Sequence, residues 1–235
     1  MSPTDLAARR ALLARSPLFA PLAARDLDRI LQLARAKRLE SGQVLFQKGD
    51  PAESVYAIVS GRVRVVSTSD DGKEVVLRIL RGGDVFGELG LLHDGHRTAT
   101  VIGAEPCELL SIGRRDFLSL VESDARVTIP LLAVLAERIA DLTDQLSDLV
   151  FHGLPVRLAK RLIELAEGYG RETAEGVLIE AKLSQQDLAN LVGTSRESVN
   201  KQLRAWEEGG WLRVERGGVL LLRREKLEEL ARDGE

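Results

Sequence analysis

Two stretches of the chain combine residue types at spacings suited to recognition chemistry. The first is GELGLLHDGHRTAT, residues 87–100. Gly87 and Gly90 lack a Cβ, so the backbone can turn tightly there and come close to another group. Glu88 and Leu89 sit on that turn, and Arg97 follows Glu88 nine residues later with Thr98 beside it. A carboxylate accepts hydrogen bonds from sugar hydroxyls, and a guanidinium forks onto a phosphate. The pair would grip a nucleotide; the plainer reading is a glycine-rich hairpin with solvated charges.

The second stretch is LSQQDLANLVGTSRESVNKQLRAWEEGGWL, residues 183–212. Ser184 can cap a helix with Asp187 at the acidic capping-box position. Leu188, Ala189, Leu191 and Val192 supply its buried face, Gly193 the turn, and Thr194 or Ser195 the cap of a second helix. Val199 and Leu203, four apart, bury that second helix, with Trp206 extending the packing. Arg196, Glu197, Asn200 and Lys201 lie outward near its start, with Arg204 further along. Arginine suits guanine O6 and N7 and glutamate suits cytosine N4, close to the end of a helix that enters the major groove. From Thr194 to Trp206, Arg196, Lys201 and Arg204 against Glu197 give a local balance of +2. A solvated charged face on a three-helix bundle is the competing reading.

The elements that must hold these residues follow from periodicity. From about Glu40 to Ile112 short apolar runs alternate with glycines: Val44–Phe46, Val55–Val59, Val63–Val66, Val75–Leu80 and Leu109–Ile112. Asp71-Gly72 is a hairpin signal between two of them. Many short strands at regular spacing predict a jelly-roll or similar closed β architecture. Helices are predicted before it (Leu22 to Ala36) and after it (Arg115 to Glu122). A long helix should begin near Thr128-Ile129-Pro130, with proline in its first turn. Its apolar residues Leu132, Leu135, Ile139, Leu142, Leu146 and Leu149 are spaced 3, 4, 3, 4, 3. That is the a/d alternation of a coiled-coil seam and predicts a parallel homodimer. Gly153 and Pro155 mark a hinge. Beyond them come a helix with Leu158, Leu162 and Leu165 on one face, a strand at Val177–Ile179, the two close helices, and a hairpin from Trp211 to Leu222.

Composition narrows the classes. The 235 residues carry 44% hydrophobic and 29% charged side chains, those of an ordinary globular protein. No apolar run approaches the ~18 residues that span a bilayer. The arginine-rich start, MSPTDLAARRALLARS, reads as a short amphipathic helix and not as a secretory signal. Cys107 is the one cysteine, which excludes an internal disulfide and a multi-cysteine metal site within one chain. A cytoplasmic location without a membrane partner is expected. Net charge is -3, and residues 153–235 hold 14 Lys/Arg against 15 Asp/Glu, so DNA binding must come from local placement of charge.

The order of a glycine-punctuated β-roll, a GEL…RTA cassette, a long apolar-seamed helix and a helix-turn-helix with TSRESV resembles the cyclic-AMP receptor protein and FNR superfamily of bacterial transcription regulators. The likeness runs from about Ser16 to Arg223. It implies an α+β chain in three parts. These are a cyclic-nucleotide-binding β-roll (16–127), a dimerisation helix (128–152) and a winged helix-turn-helix (153–225). By position it implies that Gly87, Glu88 and Leu89 form the ribose-side turn, with Glu88 on the 2′-hydroxyl. Arg97 and Thr98 would hold the cyclic phosphate, and Arg138 would reach the pocket from the long helix. The family's adjacent pair of hydroxyl residues facing adenine falls on Leu142-Thr143, so Thr143 alone is kept. A threonine after the phosphate arginine favours cyclic GMP in related domains. The implied effector is therefore a cyclic nucleotide, cyclic AMP first and cyclic GMP second, with no metal. Arg196, Glu197 and Lys201 resemble the three base-reading positions, with lysine replacing arginine at the last, which implies a palindromic site with TGTGA-like halves on double-stranded operator DNA, and RNA polymerase as a further partner. The FNR branch's amino-terminal cysteines are missing, which excludes that route to oxygen sensing.

Three alternatives remain open from sequence. One is a regulator with another effector or none. The second is a ligand-binding interaction protein without DNA contact. The third is a metal-dependent β-barrel enzyme built on His93 and His96 with Glu88 or Glu105. The leading expectation is not an enzyme.

Overall fold

Apolar runs of roughly four to eight residues, rich in β-branched side chains, are too short for helices and pair as strands. In the computed structural model they form two four-stranded antiparallel sheets within the first of two units, Met1–Ala140 and Asp141–Glu235. The structure describes residues 3–69, 74–180, 184–215 and 218–234. The Asp71-Gly72 turn and Leu183, the first residue of the helix-turn-helix stretch, lie outside the described residues.

The first unit opens with α1 (Pro3–Leu13) and α2 (Ala24–Leu33). Eight strands follow: β1 (Arg35–Leu39), β2 (Val44–Phe46), β3 (Ser54–Ser60), β4 (Arg62–Thr68), β5 (Glu74–Arg81), β6 (Val85–Phe86), β7 (Thr100–Gly103) and β8 (Cys107–Gly113). The short α3 (Glu88–Leu92) sits between β6 and β7, and α4 (Arg114–Ser123) and α5 (Ala125–Phe151) close the series. One sheet has the order β1-β8-β3-β6 and the other β2-β7-β4-β5.

Both faces of the first sheet are covered, which explains its continuous apolar runs. Along β3, Tyr56 and Ile58 point into the space between the sheets, where they meet Val63, Leu80, Val101 and Leu109. Val55 and Ala57 point the other way, into a second core with Phe19, Ile30, Leu31, Phe117, Val127 and Leu131 of the helices. Alternation with period two thus delivers one strand to two cores.

Two expectations are corrected here. The helix over Leu22–Ala36 is shorter, and Arg35–Leu39 is a strand. Only Leu39 of β1 is buried, and the strand pairs at the sheet edge with β8, from Arg35↔Ser111 to Leu39↔Cys107. Pairing overrides the helix preference of Arg, Ala and Lys. The long helix begins at Ala125, not Thr128, so Pro130 lies inside it. Asp124 starts it, since its carboxylate accepts from the Arg126 N–H at 2.9 Å and its carbonyl from those of Val127 and Thr128. The glycine cassette makes its tight turn as a short helix, α3, which removes the competing hairpin reading. Strands β6 and β7 were also not foreseen.

In the second unit α6 (Leu154–Tyr169) buries Leu158, Leu162 and Leu165. It is followed by β9 (Gly170–Thr173), β10 (Gly176–Ile179), α7 (Gln185–Val192), α8 (Arg196–Glu208), β11 (Leu212–Glu215), β12 (Gly218–Leu221) and α9 (Arg224–Asp233). The strands form one antiparallel sheet in the order β11-β12-β10-β9. The two close helices have the bounds that their capping residues imply. Ser184 and Asp187 form the reciprocal capping box, and Gly193 ends α7 at φ +65°. Of the two candidate caps for α8 it is Ser195 that serves, accepting from the Ser198 N–H at 3.2 Å. Val199, Leu203 and Trp206 are buried, and Trp206 stacks on Trp211 with centroids 5.9 Å apart. Strand β9 and helix α9 had no counterpart in the sequence reading.

Candidate functional site

The cassette closes on itself. Gly87 precedes α3 at φ +84°, and a Cβ there would lie 2.6 Å from Arg97 Nη1. A Cβ on Gly90 would run into the His96 carbonyl oxygen. The group that both glycines allow to approach is therefore the far end of the same motif. Arg97 is 5% exposed. It donates to the Gly87 carbonyl at 2.9 Å and to the Ser54 carbonyl at 2.8 Å. Its guanidinium carbon stands 4.0 Å from the Phe46 ring centroid and 5.5 Å from that of Tyr56, within cation–π range. Burial lowers its pKa, and the charges of Tyr56, Asp50, Glu53 and Glu88 oppose that shift. Two backbone acceptors and an aromatic floor fix the guanidinium plane, while Nε remains buried without a hydrogen-bond partner.

Glu88 is the other half of the grip and is also buried. Its Oε1 pairs with Arg138 Nη1, and Arg138 Nη2 donates to the Val85 carbonyl at 2.7 Å. Burial pushes the Glu88 carboxyl above its usual range, and the Arg138 guanidinium pulls against that shift. Oε2 is buried and has no partner. The first unit thus brings together Gly87, Glu88, Arg97 and Arg138. It leaves a buried donor on Arg97 and a buried acceptor on Glu88, each costly unless a ligand meets it. A phosphate oxygen suits the one and a sugar hydroxyl the other. Leu89 and Thr98 are exposed. Thr143 is exposed on α5, and its carbonyl accepts from Ser147 Oγ at 3.0 Å. Phe46, Ser54 and Tyr56 were not foreseen as neighbours of Arg97. Their one sequence signal was an aromatic in each of two strands before the cassette.

A metal site does not assemble here. Glu88 is committed to Arg138, and Glu105 holds Arg62 at 2.9 and 3.0 Å. Among the described residues no group of three or more His, Cys, Asp or Glu could hold an ion. No helix among them is long and apolar enough to cross a membrane.

Along α5, Leu132, Ile139, Leu142, Leu146 and Leu149 are each more than half exposed, at 60, 66, 53, 63 and 52%. Such a row of exposed apolar side chains calls for a partner. Leu135 differs, being half-buried against the core under the helices. On α8, Arg196, Glu197, Lys201 and Arg204 are exposed, as a face that meets DNA must be. Asn200 is half-buried with its Oδ1 unpartnered, and Ser195 is occupied in capping.

Comparison with known proteins matches both halves. Residues 36–124 match the cyclic nucleotide-binding domain family and residues 156–230 the Crp-like helix-turn-helix domain family. The CRP-like cAMP-activated global transcriptional regulator of Mycobacterium tuberculosis is 32% identical, over 94% of this chain and 99% of that one. The solved structure of the c-di-GMP responsive global regulator CLP of Xanthomonas campestris superposes with a TM-score of 0.76 at 28% identity, covering 85% of this chain and 99% of that one. A CRP/FNR family transcriptional regulator from Thermus thermophilus gives a TM-score of 0.72 at 26% identity, over 86% of this chain and 100% of that one. These relatives are transcription regulators and not enzymes. The β-roll with its cassette, the long helix and the helix-turn-helix, matched along nearly the whole chain, make this protein a member of the CRP/FNR family of DNA-binding transcription regulators.

Proposed function

We propose that the protein is a homodimeric regulator that reads a palindromic operator with TGTGA-like halves and is switched by a cyclic nucleotide. The observation that carries the effector half is the pair of buried, unpartnered atoms, Arg97 Nε and Glu88 Oε2, in a cyclic nucleotide-binding domain. Gly87, Glu88 and Leu89 form the ribose turn, Arg97 and Thr98 take the cyclic phosphate, and Arg138 and Thr143 reach the ligand from the long helix. The names of the cAMP-activated relatives put cyclic AMP first, and Thr98 puts cyclic GMP second. The three parts are the β-roll (16–127), the dimer helix (128–152) and the winged helix-turn-helix (153–225). The dimer seam is Leu132, Leu135, Ile139, Leu142, Leu146 and Leu149, and the exposure of all of these but Leu135 supports it. RNA polymerase is the further partner, and the site of action is the cytoplasm. A regulator of the same fold with another effector is the second reading, supported by the c-di-GMP responsive neighbour.

Ser195, Arg196, Glu197, Asn200, Lys201 and Arg204 form the DNA face. The bases are read by Arg196, Glu197 and Lys201, and Arg204 serves the backbone. Selection of binding sites from random duplexes is expected to return two inverted half-sites about one helical turn, ~34 Å, apart. Arg196→Ala is expected to weaken operator binding by ~1–3 kcal/mol and to relax one guanine in each half-site. An unchanged consensus in that variant would mean that α8 is not the reading helix.

A further inference from the structure

A cleft in the first unit is lined by Arg78, Val85, Glu88, Val134, Glu137 and Arg138 among others, and Arg97 lies outside its lining. Glu88 belongs to both the cleft and the cassette, and its charge acts on Arg97. A sugar hydroxyl held by Glu88, with the phosphate on Arg97, leaves the base to enter this cleft. Arg78 is the one charge in the run Val75–Leu80, VVLRIL, and it is half-buried. Keeping a guanidinium half-buried in such a strand costs solvation, which its N–H groups recover through hydrogen-bond partners.

We propose that this cleft receives the base of the effector and that Arg78 reads it as guanine. The proposal rests on the cyclic-nucleotide reading of the same site. Arginine has five donors and no acceptor. Guanine presents two adjacent acceptors, N7 and O6, which a guanidinium bridges. Adenine sets an amine donor beside N7, which arginine cannot satisfy and glutamine can. Arg78 already has partners within the protein, so a base edge that enters the cleft must share or displace them. Glu137, on the same cleft, is an acceptor of the kind that guanine N1–H and N2–H need. Leu142 removes a hydroxyl on the adenine-facing pair that the family likeness implies. For this chain the cleft therefore reverses the order that its relatives' names give.

The same guanine edge is carried by cyclic GMP and by cyclic di-GMP, so both are arms of the test. Isothermal titration of the full-length protein with cyclic AMP, cyclic GMP and cyclic di-GMP is expected to give at least about tenfold tighter binding for a guanine ligand than for cyclic AMP. Which guanine ligand binds identifies the source. Arg78→Gln is expected to invert the order in favour of cyclic AMP, and Arg78→Leu to weaken the guanine ligand without strengthening cyclic AMP. Circular dichroism checks that both variants fold. Cyclic AMP binding most tightly to the wild type, or an unchanged order in Arg78→Gln, overturns the guanine assignment alone. Failure of all three ligands to bind folded wild-type protein overturns the cyclic-nucleotide reading, and this inference with it.

Discussion

Arg97→Leu is expected to weaken cyclic-nucleotide binding by about a hundredfold or more. In the proposed site the phosphate would lose both a charge-assisted bond worth ~1.5–3 kcal/mol and its buried counter-charge. Leucine also leaves the Gly87 and Ser54 carbonyls without their donor and empties the face of Phe46, so the thermal midpoint should fall as well. Calorimetry well below that midpoint separates the two effects. Arg97→Lys restores charge but not the planar fork, and its affinity should lie between the two. Wild-type affinity in Arg97→Leu would remove Arg97 from the phosphate site.

Leu142→Asp is expected to turn the proposed dimer into a monomer at micromolar concentration. Leu142 sits on the exposed row of α5, 53% exposed in the single chain. Across a parallel seam it meets its own copy, so the substitution places two carboxylates in an apolar contact. A loss of ~4 kcal/mol raises the dimer Kd about a thousandfold. Sedimentation velocity reads this directly. A dimer as tight as wild type would show that the row is covered by something other than a second copy.

How much of this was legible in sequence depended on how local the determinant is. The bounds of α7 and α8 follow from capping chemistry within three or four residues, Ser184 with Asp187, Gly193, and Ser195 with Ser198. Glu88 and Arg97 were readable as a candidate pair because both lie in one cassette, and the structure buries both. The surroundings of Arg97 were not, because Ser54 is 43 residues away in sequence and Phe46 lies on a strand of the other sheet. β1 was hidden because four of its five residues are exposed at a sheet edge, leaving no alternating pattern to read. Leu135 fits the heptad count as well as its neighbours do, and only packing shows that it is shared with the core of its own unit. Arg78 was visible as a charge in an apolar strand, but its meaning needed α5 across the cleft.

In the proposed mechanism nucleotide and operator bias one equilibrium. In the proposed site the ligand would touch Glu88 and Arg97 of the β-roll and Arg138 and Thr143 of the long helix. It can therefore favour one placement of that helix and, through residues 151–155, one spacing of the recognition helices. A ligand shifts such an equilibrium only through its differential affinity for the two forms. Reciprocity then requires that operator DNA tighten nucleotide binding by the factor with which nucleotide tightens operator binding, typically about 5- to 150-fold. The direct test measures nucleotide Kd by calorimetry with and without saturating operator, and operator Kd by anisotropy with and without saturating nucleotide. Two equal factors above one are expected, both reduced in Arg138→Ala and Thr143→Ala. Operator affinity that is identical with and without every cyclic nucleotide bound would make the protein a constitutive DNA binder and contradict the account.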